Sequence, residues 1–546
     1  MTRDPSASAT RPAAGAVPLA LRPSPSRGAE AGFREARLRA AAAGAPCKAR
    51  RPGHDLAPPQ PTTGRVALAG ALCTAALLAA CAVGPRYERP PLDLPSNWRS
   101  GPTAAAQESN VAWWDGFRDP ALSKLVADTI AGSLDLKQAV ARVDEARAQY
   151  GIARSALFPQ FNADASGERQ RASRTTFSGR QILPGQQNYS SYDLDVSASY
   201  EIDLWGGLRS ATAAARAQLL AGEQARRTVV LTLVANAADA YIELLALDDQ
   251  LAIAQRTLES RREVLRLQKA RFEGGIAPES DMRQAESQFQ IAAVTVPSLR
   301  RQIAQQENLI NLLAGRKPGP IERDSKFEAL AFPPVPAGLP SDLLERRPDV
   351  QQAEQNLIAA NADIGIARAA FFPRIDLTSL LGLQSEQLSQ LLKGPSFTWN
   401  AGAGLTQSLF SGGALTSQLH LTQARERELA AAYQEAVLSA LHDVENALVA
   451  RTTLQQEVAE QEKNVAALTR LLVLAQRRYK EGAAIFLEVA TAEQSLFDAQ
   501  ISLDTLRGEL FQSYADLYRA FGGGWVDTAE KLAPQAADAR AAETTH

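Results

Sequence analysis

Apolar and polar residues alternate strictly from Tyr192 to Leu204. Tyr192, Leu194, Val196, Ala198, Tyr200, Ile202 and Leu204 fall on one side, and Asp193, Asp195, Ser197, Ser199, Glu201 and Asp203 on the other. A period of two marks a strand with one apolar and one acidic face. The run is longer than the roughly 9 to 11 residues that a tilted strand needs to cross a bilayer, and lipid outside with water inside would suit its faces. Three further segments alternate less fully. Phe161, Ala163 and Ala165 interleave with Asn162, Asp164 and Ser166; Phe397, Trp399, Ala401, Ala403 and Leu405 interleave with Thr398, Asn400, Gly402 and Thr406; Ile375 to Leu383 is the least regular. Taken singly, each also fits the edge of a soluble sandwich. The acid row, the aromatics at strand ends and an apolar leader together favour a membrane barrel. Polar segments with Gly and Pro, about 171–191 and 385–396, join the strand pairs and fit the longer outer loops of such barrels.

The period then changes. Between Gly206 and Phe272 there is no proline, and Ala, Leu, Glu, Gln and Arg dominate, so one helix of about 100 Å is expected. Gly413 to Tyr479 repeats the pattern. Leu244, Leu247, Leu251, Leu258, Leu265 and Phe272 recur at the spacings of a coiled-coil seam. The chain turns back at Gly274-Gly275-Ile276-Ala277-Pro278 and at Gly482-Ala483-Ala484, where glycine supplies a left-handed turn. Pro159 and Pro373 each end a helix and start a strand, because the ring removes a donor and drives the preceding residue toward extended geometry.

These signals occur twice. Gly151-Ile152-Ala153-Arg154-Ser155-Ala156-Leu157-Phe158-Pro159 returns as Gly365-Ile366-Ala367-Arg368-Ala369-Ala370-Phe371-Phe372-Pro373. Leu204-Trp205-Gly206-Gly207 returns, with one insertion, as Leu409-Phe410-Ser411-Gly412-Gly413, and Arg271-Phe272-Glu273-Gly274-Gly275 as Arg478-Tyr479-Lys480-Glu481-Gly482. Ordered landmarks at a fixed shift mean an internal duplication. They divide the chain into a non-mature leader (1–64), a signal peptide (65–80), an anchor and equatorial segment (81–123), a first repeat (124–315), a linker (316–341), a second repeat (342–522) and a tail (523–546).

Four strands cannot close a barrel, and an open edge in lipid leaves backbone groups unsatisfied, so the chain is expected to oligomerise. Two copies would give eight strands with a filled interior; three give twelve and a lumen. The fold class expected is a membrane α+β protein: a trimeric 12-stranded barrel, four strands per chain, continued by a helical barrel of coiled-coil hairpins, with a small equatorial domain.

Composition narrows the chemistry. The 546 residues are 45% hydrophobic and 22% charged with a formal net charge of −2, which suits a folded body and gives nucleic acid no basic stripe to bind. The cysteines are Cys47, Cys73 and Cys81, so nothing later in the chain can form a disulfide, a thiolate metal site or a thiol nucleophile. Val66 to Ala80 is an uncharged apolar run behind Arg50, Arg51 and Arg65, the layout of a secretory signal peptide. It ends Leu78-Ala79-Ala80-Cys81, which resembles a lipobox, and so marks Cys81 for a covalent lipid; no other cofactor is expected. Residues 1–64 are rich in Ala, Arg and Pro without apolar periodicity, a bias that a transit peptide would share and that a start assigned too far upstream explains better, so they are expected to be non-mature. His54, His420, His442 and His546 show no metal-like pairing, and no phosphate loop or nucleophile elbow is present, so an enzyme is not expected.

The start Cys81-Ala82-Val83-Gly84-Pro85-Arg86-Tyr87, the segment Leu344-Glu345-Arg346-Arg347-Pro348-Asp349-Val350, the repeated Gly-Ile-Ala-Arg units and the ending Gly522-Gly523-Gly524-Trp525 resemble the OprM/NodT lipoprotein branch of the TolC-like outer-membrane efflux family. The resemblance implies a trimeric exit duct for small molecules such as drugs, dyes or metals. It further implies a periplasmic adaptor, an inner-membrane pump of the RND type, and hairpin tips that close the periplasmic end. Carried over residue by residue, Glu488, Leu487, Thr491, Tyr479, Ser280 and Asp281 match gate positions, and Gly275 and Gly482 match turn glycines that dock the adaptor. Thr491 and Ala484 depart from the family's Asp and from the TolC branch's Arg. A protein-secretion duct and a pore-free periplasmic coiled coil are the alternatives. Arg346, Arg347 and Asp349 read as structural, since Pro348 followed by an acid is a helix-start signal.

Overall fold

The computed structural model describes residues 83–100, 112–173, 175, 188–335, 340–522 and 526–527. Cys81, the signal segment, the outer part of the first joining loop and Gly523 to Trp525 lie outside the described residues.

Helix α1 (Pro120–Gly132) leads into the first repeat, which continues in α2 (Leu134–Ser155), passes into β1 (Gln160–Arg171) and β2 (Asn188–Glu201), and descends in α3 (Gly207–Glu273) before returning in α4 (Glu279–Leu313). The second repeats the order: α5 (Leu343–Arg346), α6 (Pro348–Ala369), β3 (Arg374–Ser385), β4 (Phe397–Thr406), α7 (Ala414–Lys480) and α8 (Phe486–Ala520). The two long helices are 67 residues each and the two returning helices 35 each. A returning helix of that length backs only the lower half of its partner; the upper halves of α3 and α7 pack on α2 and α6.

Local chemistry sets the limits. Asp119 caps α1, its carboxylate accepting from the amides of Ala121 and Leu122 at 2.8 and 3.3 Å. Helix α2 stops at Ser155, four residues before Pro159, because Leu157 and Phe158 turn back onto the carbonyls of Arg154 and Ser155. The four strands form one antiparallel sheet in the order β1-β2-β3-β4. Strand β2 lies further toward the N-terminus than its alternation implied: it starts at Asn188, opposite Arg171, and ends at Glu201, after which Ile202 still donates to the Ile375 carbonyl at 2.9 Å. Strand β1 reaches Arg171 through Glu168, Arg169 and Gln170, which carry no apolar alternation; pairing with β2 holds them.

Helix α3 contains a stretch apolar enough and long enough to cross a membrane, but 72% of it is buried within the protein. It is the centre of the largest core. There Val230, Val234, Tyr241, Leu244 and Leu245 meet Trp113, Phe117, Leu122, Phe511 and Tyr514. Tyr241 donates to Asp119 at 2.9 Å, closing the wall between α1 and α3. A second core joins the N-terminal segment to the other repeat through Tyr87, Leu92, Trp98, Leu357, Tyr433 and Phe521. Arg89 grips Glu354 bidentately at 2.7 Å per bond. Arg347 and Asp349 play the structural part expected: buried Arg347 donates to Asp349, to Asp443 at 2.9 Å and to the Ala520 carbonyl at 3.1 Å, while Arg346 stands 3.9 Å from Asp342.

Candidate functional site

The two hairpin turns are built alike. At the first, Gly275 has φ +69° and the Ile276 amide reaches back to the Arg271 carbonyl at 2.8 Å. At the second, Gly482 has φ +77° and the Ala483 amide reaches the Arg478 carbonyl at 2.8 Å. Only glycine takes that backbone without strain. A Cβ added at either glycine would meet nothing within 4 Å, so both turns present open backbone to their surroundings.

Tyr479 is the candidate that joins the hairpins. Its hydroxyl accepts from Arg271 Nη1 at 2.7 Å and from Gln268 Nε2 at 2.9 Å, and the Arg271 guanidinium stands 5.3 Å from its ring centre. Gln268 and Arg271 lie on α3, more than 200 residues away, and the sequence carries no local sign of the contact. Below the hydroxyl, the Tyr479 ring packs on Phe486 in a small core with Ala285, Ala475, Val489 and Ala490.

The other candidates sit nearby in separate arrangements. Glu488, in the first turn of α8, is ion-paired to Arg478 at 3.1 Å, and Arg478 also donates to the Ala483 carbonyl at 3.2 Å. Its charge is therefore met inside its own hairpin. Leu487 is half exposed, and the Thr491 hydroxyl donates back to the Leu487 carbonyl at 2.8 Å. Ser280 donates to Asp281 at 3.4 Å, and among the described residues no hydrogen bond joins either to the second hairpin.

Arg261 was missed. It lies buried about seven residues above Gln268, donating to the Gln288 carbonyl at 2.9 Å and to Gln494 at 3.1 Å, with its guanidinium over Phe497. It thus links α3, α4 and α8. Burial lowers its pKa, with Glu493 and Asp498 opposing. A heptad reading places such a residue on the seam but does not reveal the polar partners it reaches there.

At the other end, α3 and α7 start just beneath the sheet. Trp205 stacks on Phe372 with ring centres 4.6 Å apart and donates from Nε1 to the Pro373 carbonyl at 2.7 Å. Val83 donates to the Trp205 carbonyl at 3.3 Å, so the N-terminal segment begins at the level where strands become helices.

The family model described as "Outer membrane efflux protein" matches residues 125–316 and 339–523. The chain is 36% identical over 471 residues to the probable efflux pump outer membrane protein TtgC of Pseudomonas putida, covering 85% of this chain and 96% of that one. It is 34% identical over 460 residues to the pyoverdine export outer membrane protein OpmQ of Pseudomonas aeruginosa, covering 84% and 97%. Among solved structures, the Campylobacter jejuni CmeC outer membrane channel matches with a TM-score of 0.75 at 25% identity over 83% of this chain and 98% of that one. The open state of the Neisseria gonorrhoeae MtrE outer membrane channel matches with a TM-score of 0.73 at 32% identity over 82% and 99%. With the family model matching most of the chain and relatives above 30% identical over nearly their whole length, this chain belongs to the outer membrane efflux protein family and is an outer-membrane channel component of an efflux system.

Proposed function

We propose that three copies assemble into one continuous duct, a twelve-stranded barrel in the outer membrane above a helical barrel in the periplasm, and that small molecules leave through it passively. The observation that carries this reading is the sheet with two unpaired edges, β1 and β4, continuous with helices of 67 residues. Edges cannot remain open in lipid, and twelve strands is the smallest multiple of four that leaves a lumen. About 100 Å of helix then carries that lumen away from the membrane.

The hairpin tips are the periplasmic gate in this reading. Tyr479, Leu487, Glu488 and Thr491 on the second hairpin and Ser280 and Asp281 on the first line or hold the mouth, and Gly275 and Gly482 offer bare backbone to a periplasmic adaptor. An inner-membrane pump of the RND type feeds the duct. Relatives named for toluene, antibiotic and pyoverdine export support small-molecule cargo over protein cargo. The duct performs no catalytic step of its own. The repeated element order supports a division into a first repeat (about 124–315), a linker (316–341) and a second repeat (342–522).

A lipid on Cys81 completes the attachment. Val83 is hydrogen-bonded at the foot of the sheet, and two residues of chain span about 7 Å, so an acyl group there reaches the inner leaflet beside the barrel.

The test is electrical. The mature protein from Cys81, reconstituted in planar bilayers, is expected to give discrete cation-selective openings, and Glu488→Ala to weaken the selectivity. Absence of conductance from a correctly assembled oligomer of the Tyr479→Phe variant, whose tips lack the Arg271 bond, would overturn the duct.

A further inference from the structure

Duplication makes each joint inside the chain a template for one that a single chain leaves open. Where the first repeat meets the second, β2 pairs with β3, and beneath that seam α3 crosses α6. The crossing is tight: a Cβ on Gly365 would stand 2.6 Å from Ser210 Oγ and 3.1 Å from Ser210 Cβ. That contact explains a glycine in a helix interior, where it otherwise costs about 1 kcal/mol. Gly151 holds the matching place in α2, 214 positions earlier, yet a Cβ there meets nothing within 4 Å. Its neighbour Ile152 is 72% exposed, against 37% for the matching Ile366. Among the described residues, nothing inside one chain accounts for Gly151.

We infer that Gly151 is the receiving half of a joint between copies of this chain, filled by Ser417 of the neighbouring copy. Ser417 is to α7 what Ser210 is to α3. Each is the fourth residue after the left-handed glycine that starts the helix, Gly413 and Gly206, and each donates its amide to that glycine's carbonyl at 2.9 Å. The two serines lie 207 positions apart, and the strands keep the same shifts: Ser199 faces Gln160 as Thr406 faces Arg374. Applied to the Ala198–Ser379 pair of the inner seam, these shifts set Leu405 of β4 opposite Ala165 of β1 in the next copy.

An aromatic contact accompanies the inner joint and has its counterpart waiting at the outer one. Inside the chain Trp205 stacks on Phe372. The corresponding aromatics, Phe410 and Phe158, are 90% and 54% exposed. A ring of three chains would bring them together, so that six like joints, three within chains and three between, circle the base of the barrel. The inference rests on the trimeric reading and specifies the seam by which the trimer closes.

Disulfide trapping tests it. Full-length chains carrying Gly151→Cys and Ser417→Cys separately are coexpressed, and outer membranes are oxidised. A covalent dimer is expected that neither variant gives alone, and both substitutions on one chain are expected to give a covalent trimer. Ser210→Cys with Gly365→Cys calibrates the geometry within one chain, since the 3.1 Å Cβ separation falls a few tenths of an ångström short of the roughly 3.5 to 4.5 Å that a disulfide spans and a small shift of the helices closes the difference. Gly151→Leu puts its side chain into open space in an isolated chain, so unchanged circular dichroism with at least a tenfold loss of trimer is expected. A trimeric wild type whose mixed cysteine pair stays unlinked while the intrachain pair oxidises, or a Gly151→Leu protein that remains as trimeric as the wild type, overturns the joint alone. A wild type whose native mass in detergent is not that of a trimer overturns the joint and the trimeric reading together.

Discussion

The Tyr479 hydroxyl lies 2.7 Å from Arg271 Nη1, and this bond ties the last turn of α7 to the last turn of α3. A hydrogen bond to a charged donor contributes about 1.5 to 3 kcal/mol. Tyr479→Phe removes it and keeps the ring on Phe486. Single-channel recordings should then show openings several times more frequent than in the wild type, with the midpoint of global unfolding almost unchanged. An identical open probability would mean that the tips are held by other contacts.

Arg347 is a different kind of residue. Its guanidinium is buried and bonded to Asp349, Asp443 and the Ala520 carbonyl, so it clamps α6 to α7 and α8. Arg347→Ala is expected to cost about 2 to 3 kcal/mol in denaturant unfolding, because a carbonyl and two partly exposed carboxylates lose their charged donor. Combining it with Asp443→Asn should cost less than the two single effects added. Strict additivity in that cycle would show the pair to be uncoupled.

Arg261 is buried with its Nε unpartnered among the described residues and its pKa lowered by burial. Replacing such a charge by an apolar side chain of similar length is often neutral, whereas a cavity is not. Arg261→Met should stay within about 1 kcal/mol of the wild type and Arg261→Ala should lose about 3 kcal/mol. If Arg261→Met falls as far as Arg261→Ala, the polar bonds outweigh the stem.

Asp239 supplies a pH dependence. Its carboxyl, on α3 facing Asp516 and Arg519 of α8, is pushed up to about 8, first by burial and then by Asp516, with Arg519 opposing, and its Oδ1 has no hydrogen-bond partner. An unfolded aspartate titrates near about 4. Between those values the folded state holds a proton that the unfolded state has lost, so stability falls as pH rises and levels off above about 8. Melting temperatures taken at pH 5 and pH 8 should fall more steeply for the wild type than for Asp239→Asn; equal slopes would exclude the group.

Much of this architecture was legible because single residues punctuate it. The long helices were bounded to within a residue by Gly206 with Gly274 and by Gly413 with Gly482, since glycine both ends a helix and permits the left-handed turn after it. Alternation located β4 at Phe397 to Thr406, the limits it has in the structure. The turn glycines and Tyr479 were readable as motifs. What stayed hidden was every contact made by packing alone. Gln268 and Arg271 meet Tyr479 because two 67-residue helices run side by side, and no spacing records which pair will touch. The polar end of β1 was equally silent: Glu168 to Arg171 form a strand because Asn188 to Ser191 lie opposite them. Pro297 lies inside α4 without ending it, held between turns whose packing on α3 and α8 continues on both sides.

The unpaired edges of β1 and β4 also govern how the protein is made. A newly exported chain presents two rows of free amides and carbonyls beside apolar residues such as Phe161, Trp399 and Leu405, a template for indiscriminate strand pairing. It can neither rest in the bilayer alone nor wait unprotected in water. If three copies close the barrel, insertion and association proceed as one event, and the yield of channels should rise with chain concentration where that of a single-chain barrel would not.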